Sequence, residues 1–446
     1  MGGQSKGKCN VAQSPAKVLL LMLRSRTCRV VLVALVACLG VPTTAMALSN
    51  VTGQADFTYG PGAASVTSTA SDQNGTGMEA ESKLFYTQDG SWWGVLGTDS
   101  PAPGGVFLYK LVNHQWLQVL QLPGADPWSK ADVLYDSAHS KLYISLRDSK
   151  SLIDNPRVSQ LFVYVYGSDG TWLRQSGPTN ITTKNPRNLT IALDSRNRLW
   201  TTFESGGYIS VGHTSAGGTS FSYTSLPWSL VNTKDTSAVT SFGTAATGYK
   251  IGVMWDDTVT QRYMFAWRND TDALGAPWHI ETAYGGGVGG CPTATTSSCA
   301  NYHISLRTSG TDVYAAIKLM SQSSTNSLEP MLVLVHRDGL GAWSASTVSY
   351  KKSNATRQIL ILAPAQDRIF VIAESQLASS GLFVWETSMS SPSFTPDTYS
   401  KWSIPNQNLH EDPTSTKQSL GTGGLGVVES SQGLINQYWH NEFSAL

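Results

Sequence analysis

Seven times along the chain a similar unit returns. It opens on a polar or charged residue, runs into an apolar-alternating strand, turns through Gly, Asp, Asn or Ser, and continues into a second strand. Lys83–Val95, Asp132–Leu146 and Thr190–Phe203 share this plan. Alternation with a period of two, broken by turn residues, specifies strand–turn–strand rather than helix. A recurrence of this kind fixes the whole fold. No unit can bury its faces alone, so four-stranded sheets stand radially about one axis in an all-β, seven-bladed β-propeller. Six blades is the alternative count, because strand boundaries are the least sharply encoded feature. The last unit, with strands expected at Lys417–Leu420, Leu425–Val428 and Asn436–His440, is one strand short. A lone strand near Val51–Tyr59 would complete it. The ring is then closed by pairing N- and C-terminal strands, which leaves no open edge.

Several function classes are excluded by composition. Only 14% of the 446 residues are charged, and 31 Lys+Arg balance 31 Asp+Glu. Such a chain carries no long-range field to gather nucleic acid or an anionic membrane. Lys17, Arg24, Arg26 and Arg29 precede the apolar run Val30–Val41, and Ala45-Met46-Ala47 supplies small residues for cleavage. This is the layout of a secretory signal peptide over residues 1–47, ahead of a single propeller domain over 48–446; a signal anchor is the rival, disfavoured because the apolar run is shorter than a membrane span and Arg24–Arg29 interrupts it. The expected product is secreted or at the cell surface, monomeric, and off the membrane once the signal is cleaved. Cleavage would leave two cysteines, Cys291 and Cys299, which in an oxidising compartment pair to pin a loop. No metal site and no cofactor are expected. Six Asn-x-Ser/Thr sequons, Asn50, Asn74, Asn180, Asn188, Asn269 and Asn354, fit an extracellular surface. Trp116, Trp172, Trp278, Trp343 and Trp402 recur near blade ends and read as mortar between blades.

Two glycine runs, Gly285–Gly290 and Gly421–Gly426, match the dinucleotide pattern. Neither stands between a strand and a helix, so neither offers a helix N-terminus to a pyrophosphate. Charge instead concentrates at strand ends. Each blade's first strand lines the central channel, and its starts carry Lys83, Lys130 with Asp132, Arg187, Asp235, Tyr302 with His303, Arg357, and Lys417. The second-strand ends carry Arg147, Glu204, Trp255 with Asp256 and Asp257, Lys318, Glu374 and Glu429. Side chains from every blade converge there, which makes this face the natural pocket. The bland explanation is that charged residues stay wet at strand ends. The functional one is a cationic funnel with interspersed acids. Arg187, Arg357, Lys417, Lys130 and Lys318 would clamp a carboxylate or sulfate, with Trp255 alongside. His303 opens a channel strand beside Tyr302, and neighbouring cations would favour its neutral, basic form.

Ser168–Trp172, Asp338–Trp343 and Asp89–Trp92 are shortened relatives of the turn Ser-x-Asp-x-Gly-x-Thr-Trp. On these turns and the repeat layout, the chain resembles the sialidase-like superfamily of secreted propellers. Ile251–Trp255, Val313–Lys318, Thr414–Gln418 and Tyr438–His440 look like a group of secreted bacterial propellers. The resemblance implies an acidic glycan as partner, with Arg187 and Arg357 as two of three carboxylate-binding arginines; the family's early Arg-Ile-Pro motif is absent. A hydrolase would need facing carboxyl groups from Asp132, Asp148, Glu204 or Asp257. A polysaccharide lyase would use His303 or Tyr302 as base, with Arg357 and Lys417 neutralising a uronate. The alternative is a non-catalytic glycan- or protein-binding propeller, lectin-like, since the fold hosts both.

Overall fold

The computed structural model describes residues 51–446 apart from 59–74, 78–79, 100–103, 128, 148–157, 185, 233–234, 286–298, 321–327, 376–380, 397, 403–409 and 433–436. The expected leader, Cys291 and Asp148 lie outside the described residues. Residues 49–446 form one unit.

Strand β1 (Val51–Thr58) comes first in the chain but belongs to the last blade. Blade I holds β2 (Leu84–Tyr86), β3 (Trp92–Thr98), β4 (Gly105–Val112) and β5 (Gln115–Gln121). Blade II holds β6 (Lys130–Asp136), β7 (Lys141–Arg147), β8 (Ser159–Tyr166) and β9 (Trp172–Thr182). Blade III has β10 (Thr190–Leu193), β11 (Leu199–Ser205), β12 (Tyr208–His213) and β13 (Ser222–Leu230). Blade IV has β14 (Ser237–Thr244), β15 (Gly248–Asp257), β16 (Arg262–Asn269) and β17 (His279–Tyr284). Blade V has β18 (Ile304–Ser309), β19 (Asp312–Lys318), β20 (Pro330–Arg337) and β21 (Trp343–Tyr350). Blade VI has β22 (Ala355–Ala363), β23 (Arg368–Ser375), β24 (Leu382–Ser388) and β25 (Ser400–Trp402). Blade VII holds β26 (His410–Thr414), β27 (Leu425–Gln432) and β28 (Gln437–Ser444), with β1 outermost.

Every sheet is an antiparallel meander of four strands. Inner strands touch in succession, β2 with β6, then β10, β14, β18, β22 and β26, and β2 reaches β27 to complete the circuit. The fold is a seven-bladed propeller closed as expected, with Gln54 opposite His440 and Ala55 opposite Trp439. Two outer strands, β13 and β25, exceed the sequence expectation. The inner strand of blade VII is His410–Thr414 rather than Lys417–Leu420. Pro413 interrupts its strand signal, because proline cannot donate to a ladder.

Both faces of a blade are covered by neighbouring blades, so its central strands are apolar throughout rather than alternating. In β23, Ile369, Val371 and Ala373 enter the cluster between blades V and VI, while Phe370 and Ile372 enter the one shared with blades VII and I. Burying each such aliphatic side chain contributes about 1.5–3 kcal/mol. The five expected tryptophans pack in or against these inter-blade clusters. Among the described residues, helix is limited to the 3-10 turns Lys351–Ser353 and Pro364–Gln366, and none is long and apolar enough to cross a membrane. Asn188 is fully buried, and its amide donates to Ser237 O at 2.7 Å, so this sequon is a structural residue in the folded chain.

Candidate functional site

The first strands all begin at one end of the channel, and their charged residues separate into two groups. One group plugs the channel. Asp132 on β6 is completely buried; Ser82 N–H donates to its Oδ1 at 2.8 Å and Ile191 N–H to its Oδ2 at 2.7 Å. Lys417 Nζ is its ion-pair partner and also donates to Ile191 O at 2.8 Å. Blades I, II, III and VII therefore meet on one carboxylate. From blade V, Arg307 reaches across, with Nε donating to Thr416 O at 3.1 Å and Nη2 to Ser82 Oγ at 3.0 Å. Glu81 accepts Leu189 N–H at 3.1 Å and lies 3.5 Å from Lys83 Nζ. These bonds join blades that are not neighbours, so the axis is filled. Burial lowers Lys417, against the pull of Asp132, and brings Arg307 down to about 10. Buried charge is tolerated only when it is paired and hydrogen-bonded.

Lys130 and Arg147 adjoin this plug. Burial, with Lys83 and Arg147 alongside, brings Lys130 down to about 7, against Asp412 and Glu81. Arg147 is buried, and among the described residues its Nε and Nη2 have no hydrogen-bond partner.

The second group forms the mouth. Arg187, just before β10, lies over the Tyr302 ring at 4.9 Å. Tyr302 leads into β18, its N–H donating to Asp256 Oδ2 at 2.8 Å and its carbonyl accepting Thr236 Oγ1 at 2.7 Å. Next to it, the His303 carbonyl is held by Gln358 Nε2 at 3.1 Å. His303 is 6% exposed. Burial, and then the charges of Lys318, Arg357 and Arg187, hold its imidazole well below the ordinary histidine value, so the ring is neutral at neutral pH. Burial, Asp235 and Asp256 push the Tyr302 phenol up, so it stays protonated. Arg357 pairs with Glu374 at 3.1 Å and with Asp412 at 3.1 Å.

Backbone strain gathers here as well. Tyr302, Arg357 and Asp412 hold φ of 34°, 51° and 51°. Arg357 and Asp412 sit where the β22–β23 and β26–β27 registers shift. Bulges re-aim side chains at functional sites, and a left-handed non-glycine residue costs about 1 kcal/mol or more.

The structure thus brings His303, Tyr302, Arg187, Arg357 and Lys318 together. Asp132 and Lys417 belong to the plug, with Lys130 against it. The remaining sequence-expected site residues have structural partners. Glu204 accepts Gly207 N–H at 2.8 Å and closes the β11–β12 turn. Asp257 accepts the N–H groups of Val259 and Thr260 at 3.0 and 2.8 Å, capping the turn after β15. Trp255 is fully buried in the apolar cluster between blades III and IV and presents no face to a ligand. Sequence reasoning missed Asp412, whose short strand carries Pro413, and undervalued Glu374 and Asp256. Asp256 accepts Thr236 N–H and Tyr302 N–H, while burial and Asp235 push it up to about 8. A cleft of about 200 Å³ lined by His139, Lys141, Tyr143 and Asn197 opens among the turns of blades II and III, at the far ends of their first strands from the mouth.

No protein-family model matches the chain, and no curated protein matches it. Solved structures do. The polysaccharide lyase Uly1 is 10% identical, with 89% of this chain and 98% of that chain covered and a TM-score of 0.51. A polysaccharide lyase of family PL25, an ulvan lyase, is 11% identical over 88% and 95%, with a TM-score of 0.52. The NanB sialidase of Streptococcus pneumoniae is 10% identical over 88% and 71%, with a TM-score of 0.40, too distant to carry an argument. At these identities the likeness establishes the propeller fold.

Proposed function

We propose that this propeller is a secreted lyase that binds an acidic glycan at the channel mouth and cleaves it by β-elimination. The observation that carries this reading is a neutral histidine among three cations, beside a protonated tyrosine. Arg187 and Lys318 would face a uronate carboxylate and stabilise charge as the α-carbon loses its proton. His303 would take that proton. The C–H electrons form a carbon–carbon double bond, the bond to the glycosidic oxygen breaks, and Tyr302 returns a proton to that oxygen. Hydrolysis has weaker support, because the carboxylates of Asp132, Glu204 and Asp257 are held in structural bonds. The shared fold of two polysaccharide lyases agrees with the reading and does not carry it.

The second reading is glycan or protein binding without turnover, and the small exposed edge of His303 favours it. One assay separates the two. The purified protein is incubated with uronate-containing polysaccharides while ultraviolet absorbance of unsaturated ends and reducing ends are followed together. Rise of both, abolished in His303→Ala, supports elimination. Reducing ends alone indicate hydrolysis. Binding without either, unchanged by that substitution, selects the second reading.

Secretion belongs to the same proposal, with removal of residues 1–47, a monomeric product and a Cys291–Cys299 disulfide. Intact mass of the exported protein reads the new N-terminus and the loss of two hydrogens.

A further inference from the structure

Where the ring closes, three potential metal ligands converge that the mouth does not use. Asp56 stands on β1, Glu429 on β27 and His440 on β28, and their ligand atoms all lie within 4.8 Å of one another. Asp56 and His440 are 384 positions apart, so no spacing motif announces the set. The side chains of His440 and Asp56 are 0% and 3% exposed, and Glu429 is fully buried.

The surroundings orient all three. His440 Nε2 lies 3.3 Å from Glu442 Oε1, which fixes a proton on that nitrogen and turns Nδ1 toward Asp56, at 2.9 and 2.8 Å from its two oxygens. A carboxylate on the outer nitrogen is the arrangement that holds a metal-ligating histidine. Glu442 is itself fixed by His114 Nδ1 at 2.6 Å. Trp116 Nε1 donates to Glu429 Oε2 at 2.8 Å, and the other oxygen, Oε1, is buried with no donor directed at it among the described residues. Its neighbour is the Asp56 carboxylate, and burial beside that charge pushes Glu429 well up. For His440, burial lowers the ring, but the bonds to Asp56 and Glu442 outweigh it and bring it up to about 9. One nitrogen and two carboxylates are thereby aimed at a common point, a geometry that suits a cation.

We propose that Asp56, Glu429 and His440 form a divalent transition-metal site that staples β1 to β27 and β28 and locks the ring. One nitrogen and two carboxylate oxygens suit Zn²⁺, with water in the fourth position. Metal bonds of about 2.0–2.2 Å would open the Nδ1–Oδ separation to roughly 3.3 Å, a shift of a few tenths of an ångström.

The test uses the whole secreted chain, stripped with chelator, dialysed and titrated with Zn²⁺ by calorimetry and thermal unfolding. One Zn²⁺ per chain with a raised Tm is expected. Glu429→Gln and His440→Gln should lose both effects, and Glu442→Gln should weaken affinity about 10–100-fold. His139→Gln, at an exposed His–Asp pair, controls for surface binding and should bind as the parent does. The wild-type titration decides even if a variant folds poorly. No stoichiometric binding, an unchanged Tm, or equal binding by folded Glu429→Gln would overturn the proposal.

Discussion

His303 carries the proposed chemistry through the charges around it. Each neighbouring cation makes protonation of the ring harder, and burial adds to this. The base form therefore persists below pH 6.5, and the acid limb of kcat/KM is expected well below that value. Replacing Arg187 by Ala removes one of the opposing charges, so the limb should move to higher pH as turnover falls. A pH–rate profile of both proteins reads this, and an acid limb that stays fixed in the variant would remove the electrostatic argument. The same depressed pKa bears on stability. The unfolded chain gains a proton near pH 6.5 that the native ring refuses, so this group destabilises the fold as pH drops through 6.5. The sequence made the His303 neighbourhood legible because strand starts could be read from alternation. It hid which of the ring's charges fill the axis and which stand at the mouth. Asp132 and Lys417 look like Arg187 and Arg357 in a string of letters. Only their depth on the axis separates plug from mouth.

Strands were legible wherever a tight turn joined two alternating runs, as in β6–β7 and β18–β19. Strand bounds were blurred where a bulge or proline broke the pattern, as on β22 and β26 at the mouth, and the outer strands β13 and β25 were not foreseen. Local rules fail where the backbone is bent for a purpose. Close approach between elements leaves a clearer mark. Gly97 on β3 faces Pro127, in the connection leading to blade II, and a Cβ there would lie 1.9 Å from the Pro127 carbonyl oxygen. The strand cannot yield without breaking its pairs with Val106. Gly97→Ala is expected to cost about 1–3 kcal/mol as overpacking. Denaturant unfolding checks it, and an unchanged midpoint would mean that the connection gives way freely.

Seven wedges about an axis must be held at two radii. At the rim, β1 pairs with β28, so the last sheet contains both described ends of the chain. At the hub, Asp132 ties blades I, II, III and VII, and Arg307 brings in blade V. The hub is the more exacting device, because its groups are charged and dry. Removing one partner leaves the others without compensation, which costs about 3–5 kcal/mol for a buried pair. Asp132→Ala should therefore lower stability by about that amount, since Ser82 and Ile191 also lose their acceptor and Lys417 is left as an uncompensated cation. Lys417→Ala alone should be damaging as well, by leaving the buried Asp132 carboxylate without its ion-pair partner. The double variant should lose less than the sum, because neither charge is then stranded. Urea unfolding of the four proteins gives the coupling directly. Additive losses would show that the two residues act independently and that the axis is not held by this pair. A catalytic role for Asp132 predicts something different, namely full stability with lost turnover, so the same four proteins separate a structural hub from an active-site acid.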